Sequence, residues 1–144
     1  MQNTDTQIYN ERIIQVPVSK LYSAFSDPVQ LAQWWGPKGL TNTIHEFDLR
    51  RGGHWKLTMH GPEKGHYENA SIFDVVEKEN LVAWTRQTQP YFKMEIRFEA
   101  ISDSSSRISF RMIFDTPESC AKVKNFAGPA NEENFDRLER LLSL

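Results

Sequence analysis

The four histidines are the residues of this sequence whose type could support metal chemistry. His54 and His60 share the alternation of Lys56 and Thr58 along a predicted strand, which predicts a solvated strand face for both. His60 and His66 flank a short loop across which they could pair, and no spacing among the four, His45 included, matches a zinc motif such as HExxH. The pattern therefore favours surface histidines and predicts no metal site.

Nucleophiles and anion-binding loops give equally little support for catalysis. Cys120 is expected in the first turns of a helix, which would lower the pKa of its thiol, but no histidine lies near it in sequence. The RRGG segment at 50–53 could cradle an anion, although two glycines after two arginines are more typical of a tight turn. The sequence has no nucleophile elbow, P-loop or Rossmann fingerprint. We predict no catalytic residue and no cofactor.

Composition narrows the class of protein. The 144 residues carry a net charge of −2, with 39% hydrophobic and 25% charged residues, which is typical of a soluble globular protein. No apolar run approaches the ~18 residues of a membrane span, and residues 1–10 do not resemble a signal peptide. The absence of a basic block argues against nucleic-acid binding. We expect a cytoplasmic protein with a frayed tail at 1–7 and a single domain at 8–144.

The elements that would position a site begin with a strand and a helix pair. Residues 7–16 are rich in β-branched side chains and predict a strand, which could lie at a sheet edge. Residues 19–35 predict two short helices divided at Asp27-Pro28, because Asp27 can cap the second helix and Pro28 suits its first position. Trp34 and Trp35 end this pair: one could pack inward while the other lies partly exposed at the lip of an interior space, although two tryptophans that both anchor the bend are the favoured interpretation.

The middle of the chain predicts an antiparallel sheet with one covered face and one solvated face. The predicted strands are 41–48, 54–60, 67–76, 81–87, 91–101 and 107–115, joined by short turns that include a hairpin loop at 61–65. Apolar and charged residues alternate most clearly in the last two strands. We expect Arg86, Glu95, Arg97 and Glu99 to form cross-strand charge pairs on the solvated face.

The C-terminal segment supplies the cover for the sheet. Residues 116–118 (TPE) predict a capped helix start, and Phe135, Leu138 and Leu142 form an apolar stripe typical of a helix packed on a core. Gly128-Pro129 predicts a kink or a break in this helix. Strands grouped in the middle with helices on one face indicate an α+β fold.

This order of elements, with four local strings, resembles the START-like (helix-grip, SRPBCC) superfamily. More narrowly, it resembles the family of homologues of the activator of heat-shock protein 90 ATPase. The strings are WWGP at 34–37, DLRRGGHW at 48–55, GHY at 65–67 and LVAW at 81–84. The resemblance implies a curved antiparallel sheet of about six or seven strands wrapped around a long C-terminal helix, with two short helices after the first strand.

The resemblance also implies an apolar cavity between the sheet and the C-terminal helix. The residues that could line it are Trp35, Trp55, Leu57, Met59, Tyr67, Phe92, Met94, Phe98, Phe110, Met112, Phe114 and Phe126. The alternative is that these side chains simply fill the core. Methionines and aromatic rings together make a deformable wall, which favours adaptable binding.

Three functions remain open at this point. The first is binding of an apolar or amphipathic small molecule in the cavity. The second is an enzyme of the cyclase or aromatase type, which would need an acid or base inside the cavity, and alternation offers only Tyr67, Glu68 or His66 there. The third is a protein-interaction module, with a chaperone partner implied only by the resemblance. We predict no nucleic-acid partner and no stable membrane insertion, and the sequence favours no particular oligomeric state.

Overall fold

Seven antiparallel strands form one sheet in the computed structural model, which describes residues 5–36, 38–61 and 65–143. The elements are β1 (Gln7–Ile14), α1 (Val18–Ser26), α2 (Pro28–Trp34), β2 (Thr41–Phe47), β3 (His54–His60), β4 (His66–Glu77), β5 (Leu81–Arg86), β6 (Lys93–Ser102), β7 (Ser105–Ile113) and α3 (Pro117–Leu142). The strand order is β1-β7-β6-β5-β4-β3-β2, so β1 and β2 are the edge strands. Within the described residues, no helix combines the length and apolar character needed to cross a membrane.

Alternation along the strands separates the two faces of the sheet, as predicted. In β6, Met94, Ile96 and Phe98 are buried on the inner face, each opposite a buried residue of β7. On the outer face, Glu95 lies 4.0 Å from the guanidinium of Arg111, and Glu99 pairs with Arg107. The predicted cross-strand charge pairs are therefore confirmed for these two glutamates.

The helix pair forms where the sequence predicts it. The carboxylate of Asp27 accepts a hydrogen bond of 3.0 Å from the backbone N–H of Val29, and Pro28 occupies the first helical position. Trp34 is fully buried, and its Nε1 donates to the carbonyl of Ala24 at 2.9 Å. This bond ties α2 to α1, so Trp34 anchors the bend and leaves Trp35 to face the sheet.

The C-terminal helix runs without a break from Pro117 to Leu142, so the break expected at Gly128-Pro129 is absent. Proline removes one backbone donor from a helix interior, and contacts from outside the helix can hold the chain in place there. Asn10 of β1 supplies such contacts: its Nδ2 donates to the carbonyl of Gly128 at 3.2 Å and to the carboxylate of Glu132 at 2.7 Å. The strand edge thus supports the helix at its weakest point.

Arg12, on the same strand, holds α3 against the sheet. Its guanidinium lies 2.8 Å from Glu132, 2.7 Å from Asp136 and 2.8 Å from Glu139, and it sits over the Phe135 ring at 5.5 Å. Burial acts to lower the pKa of Arg12, but the hydrogen bonds to these carboxylates raise it above the ordinary value. The helix is therefore fastened to β1 by charge as well as by apolar packing.

Aromatic rings fill the space between the helix pair and the sheet. Phe25 of α1 is completely buried at their centre. Its ring centroid lies 5.8–6.3 Å from those of Trp35, Phe47, Trp55, Trp84 and Phe98. Such distances are typical of favourable aromatic pairs, so this cluster packs the helix pair against the inner face of the sheet.

Two predicted segments extend beyond the described residues. Residues 1–4 of the predicted frayed tail lie outside them, whereas Gln7 is already paired with Ile113 in β1. Residues 62–64 of the predicted hairpin loop also lie outside them, and the flanking Gly61 N–H donates to the carbonyl of Gly65 at 2.7 Å.

Candidate functional site

A small cavity lies on the inner face of the sheet, beside the aromatic cluster. Its volume is about 40 Å³. The residue that follows α2, residues of the strands β3 to β6 and one residue before β6 line it: Trp35, Trp55, Leu57, Asn69, Ser71, Trp84, Arg86, Phe92 and Met94. Three indole rings thus surround a space close to the size of one or two water molecules.

The predicted lining residues divide between this cavity and the packed core. Around the cavity the structure places Trp35, Trp55, Leu57, Phe92 and Met94. Phe98, Phe110, Met112 and Phe114 are buried in the core and do not border it, and Met59 is partly buried against that core. Phe110 packs directly on Phe135, with ring centroids 4.6 Å apart, so both rings belong to the close-packed interior.

The prediction that Tyr67 and Phe126 line an interior cavity is wrong. Tyr67 is 58% exposed and Phe126 is 69% exposed. Tyr67 lies at the hairpin end of β4, with its hydroxyl so close to Gly65 that an added Cβ there would approach it to 2.7 Å. Phe126 lies on the face of α3 opposite to the buried residues such as Asn131 and Leu138.

Arg86 is a site residue whose predicted position is wrong. A charge pair on the solvated face was expected, but Arg86 shares the inner face of β5 with Val82 and Trp84 and borders the cavity. A charged residue type suggested the outer face, whereas the period of two places residues 82, 84 and 86 on one side. That alternation was the signal that could have found it.

Backbone carbonyls hold the Arg86 guanidinium in place. Its Nε donates to the carbonyls of Thr88 at 3.2 Å and Pro90 at 3.0 Å, and its Nη2 donates to that of Gln89 at 2.9 Å. Its Nη1 donates to the side-chain oxygen of Asn69. Burial lowers the pKa of Arg86 to about 10, so the group stays protonated at neutral pH.

A second polar group at the cavity is the indole nitrogen of Trp55. Trp55 is 2% exposed, and its Nε1 is buried without a hydrogen-bond partner among the described residues. Buried donors of this kind are nearly always satisfied in folded proteins, so an unsatisfied one calls for an explanation. Trp55 lines the same cavity as Arg86, together with the polar side chains of Asn69 and Ser71, so a few polar groups stand among mostly apolar walls.

The lining suits binding better than acid–base chemistry. Its described residues include no carboxylate, histidine or cysteine, and an arginine that stays protonated cannot act as a general base. Cys120 lies elsewhere, fully buried, and burial raises the pKa of its thiol, contrary to the lowering expected from its place in the helix.

A more open depression of about 250 Å³ lies on the outer face of the sheet and is the other candidate. Arg107 there meets both Glu99 and Glu11, the latter at 3.7 Å, so its charge is already balanced. Arg97, the other arginine of this depression, is exposed to solvent. The inner cavity is the stronger candidate because its cation, Arg86, is partly buried beside aromatic rings and meets no carboxylate among the described residues.

The histidine pair predicted across the β3–β4 hairpin is confirmed. Nδ1 of His60 lies 2.8 Å from Nδ1 of His66, and Nε2 of His60 lies 2.8 Å from the hydroxyl of Thr43. Among the residues that the structure describes, no group of three or more potential ligands is placed to hold a metal. Glu63, the acidic residue of the loop, lies outside the described residues.

We expect added Zn²⁺, or a chelator such as EDTA, to leave the Tm of the protein unchanged. A metal stabilises the folded state only when it binds that state, and two histidines alone form a weak site. Differential scanning fluorimetry measures the shift. A reproducible Zn²⁺-dependent rise in Tm, lost in His60→Ala but retained in the His54→Ala control, would place a metal at the pair.

The amino-acid sequence of the chain matches a known protein family. The model of one protein family, described as activator of Hsp90 ATPase homolog 1-like protein, matches residues 15–143. The chain belongs to this family. The resemblance drawn from the four local strings is therefore confirmed, and the helix-grip arrangement is the fold expected for it. A comparison with curated protein sequences finds no match.

Solved structures similar to this chain share its fold. A Nitrosomonas europaea protein is 21% identical with a TM-score of 0.89, over 99% of this chain and 97% of its own. An Arthrobacter aurescens protein is 16% identical with a TM-score of 0.90, over 99% and 90%. The AHSA1 protein of Silicibacter pomeroyi is 20% identical with a TM-score of 0.76, over 95% and 97%. These similarities establish the architecture alone.

Proposed function

We propose that this protein binds a small apolar or amphipathic molecule at the tryptophan-lined cavity of its inner sheet face. The observation that carries the proposal is the meeting of Trp35, Trp55 and Trp84 around one space that Arg86 also lines. Mostly apolar walls with a few placed polar groups are the usual composition of small-molecule sites. The family fold supports a site between the sheet and the helices.

The cavity must open to admit such a ligand. Its volume of about 40 Å³ is far below the ~300–1,000 Å³ of typical ligand sites. Trp35 and Phe92 are the two lining rings that remain partly exposed, whereas Trp55, Trp84, Leu57 and Met94 are buried. Movement of these two rings would enlarge the space without disturbing the strands, so binding by displacement of a flexible wall is consistent with the packing.

Ligand uptake is expected at micromolar affinity, roughly −8 kcal/mol, for some members of a panel of aromatic and aliphatic compounds. Displacement of the neutral dye N-phenyl-1-naphthylamine, together with quenching of the intrinsic tryptophan fluorescence, measures it. Because Ser71 lines the cavity, Ser71→Leu should fill the space and weaken binding by at least tenfold.

Ser109→Leu is the matched control, since Ser109 is buried to a similar degree, 7% exposed against 5% for Ser71, but lies on the outer face of the sheet. The control variant should bind the panel as the unmodified protein does. If no compound in a chemically varied panel displaces the dye, or if both leucine variants bind normally, the cavity is not the site.

A further inference from the structure

Arg86 differs from three other arginines of the sheet in the partners it has. Arg12, Arg107 and Arg111 each meet at least one carboxylate. Arg86 meets none among the described residues, although it lies on the inner face next to Trp84 and is partly buried. A buried cation without a countercharge is costly, and proteins normally pair it or use it.

The hydrogen bonds of Arg86 leave two of its donors free. A guanidinium carries five N–H groups, one on Nε and two on each terminal nitrogen. The Nε group is shared between two loop carbonyls, one Nη2 group bonds Gln89, and one Nη1 group bonds Asn69. One N–H on each terminal nitrogen therefore remains without a partner among the described residues, while the carbonyls fix the side chain in position.

We propose that Arg86 binds the carboxylate of a small aromatic acid whose ring occupies the tryptophan-lined cavity. This inference rests on the proposed function and names the chemical class of the ligand. Two free N–H groups are as many as the two oxygens of one carboxylate need, and hydrogen bonds from arginine to a carboxylate are among the stronger ones in proteins. A single cation in the lining balances a single negative charge, which favours a carboxylate over a dianionic phosphate.

The remaining lining supports an aromatic body with acceptor atoms. The guanidinium carbon of Arg86 lies 5.5 Å from the centre of the Phe92 ring, so one face of the cation is already covered by an aromatic wall. Trp55, whose buried Nε1 has no partner among the described residues, lines the same cavity, so a ligand that accepts a hydrogen bond could satisfy this donor once the site opens. The indole rings of Trp35, Trp55 and Trp84 provide the apolar contact area.

A matched pair of small compounds tests the inference. Phenylacetate and phenylacetamide have nearly the same shape, but only phenylacetate is charged at pH 7. Titration of the ¹⁵N-labelled protein, followed by NMR at the tryptophan indole N–H signals, measures both affinities even in the millimolar range. We expect phenylacetate to bind at least tenfold more tightly than phenylacetamide, because hydrogen bonds to a charged partner are the stronger ones.

Variants then locate the effect. Arg86→Gln should remove the preference for the acid while leaving the weak binding of the amide, and the control Arg97→Gln, at an exposed outer-face arginine, should keep the preference. Should Arg86→Gln fail to fold, Arg86→Met, which also removes the charge while keeping a long side chain, serves in its place, and the comparison of the two compounds on the unmodified protein stands by itself.

The outcomes separate the two proposals. Equal affinities for the acid and the amide, or a preference that survives in Arg86→Gln, would overturn the role of Arg86 while leaving the binding site intact. The role of Arg86 is overturned in the same way if neither compound binds but the neutral dye does. If neither compound binds and no compound of the dye panel binds either, the proposed function itself fails.

Discussion

Replacing Phe25 with alanine should lower the free energy of unfolding by about 3–5 kcal/mol, which is the usual cost of removing a close-packed ring from a core. Phe25 is completely buried, and five other aromatic rings surround it. The backbone hydrogen bonds of the sheet fix the strands that carry several of these rings, so the void left by the missing ring cannot collapse fully. Since small proteins are typically stable by only ~5–15 kcal/mol, urea unfolding should detect the loss easily.

Phe126→Ala is the matched control for Phe25→Ala. It removes the same ring from a side chain that is 69% exposed on α3. Surface substitutions of this kind usually change stability by less than ~0.5 kcal/mol. If the two variants unfold at the same urea concentration, the aromatic cluster is not the centre of the core.

Gly53→Ala should destabilise the protein by about 1–3 kcal/mol, which is the range for a backbone forced out of place at a tight turn. A Cβ at Gly53 would lie 2.0 Å from the carbonyl oxygen of Asp48 and 3.0 Å from that of Arg50. The backbone cannot move aside cheaply, because the Gly53 N–H donates to Arg50 at 2.8 Å and the Gly53 carbonyl accepts from Phe73 at 2.9 Å. Thermal unfolding of the variant measures the cost.

Gly128→Ala provides the contrast within the same protein. A Cβ at Gly128 would meet nothing within 4 Å, and the residue lies inside α3. Alanine favours helix over glycine by ~0.5–1 kcal/mol, so this variant should melt at a higher temperature than the unmodified protein. A loss of stability at Gly128 as large as that at Gly53 would show that close backbone approach is not what selects glycine in the turn.

Local patterns made most of the fold predictable from the sequence. Alternation with a period of two identified the strands, and it also indicates which residues of each strand face the core and which face solvent. The capping residues Asp27 and Thr116 marked two helix starts, and both accept the expected hydrogen bonds from backbone N–H groups. These features depend on residues a few positions apart, which is why a single sequence contains them.

Contacts between distant residues determined the features that local patterns could not predict. The continuity of α3 through Pro129 depends on Asn10, which is more than a hundred positions away. The size of the cavity depends on how closely Trp35, Trp55 and Trp84 pack. The cavity volume is the small difference between the volume that the backbone encloses and the volume that the side chains fill. Alternation is enough to assign Arg86 to the inner face. That no carboxylate of the described residues pairs with it can be seen only when the positions of the neighbouring strands are known.

The fastening of β1 to α3 by Arg12 bears on the order in which the chain can fold. Arg12 and its partners Glu132, Asp136 and Glu139 are separated by 120–127 positions, and β1 pairs with β7, about a hundred positions further along the chain. Closing such long loops costs chain entropy before the stabilising contacts have formed. Topologies of this kind therefore fold slowly, on the scale of milliseconds to seconds. During synthesis on the ribosome, β1 emerges first but finds its strand and helix partners last. Until then its apolar face and free edge stay open to other chains, which makes the early period of synthesis the time of greatest risk of aggregation.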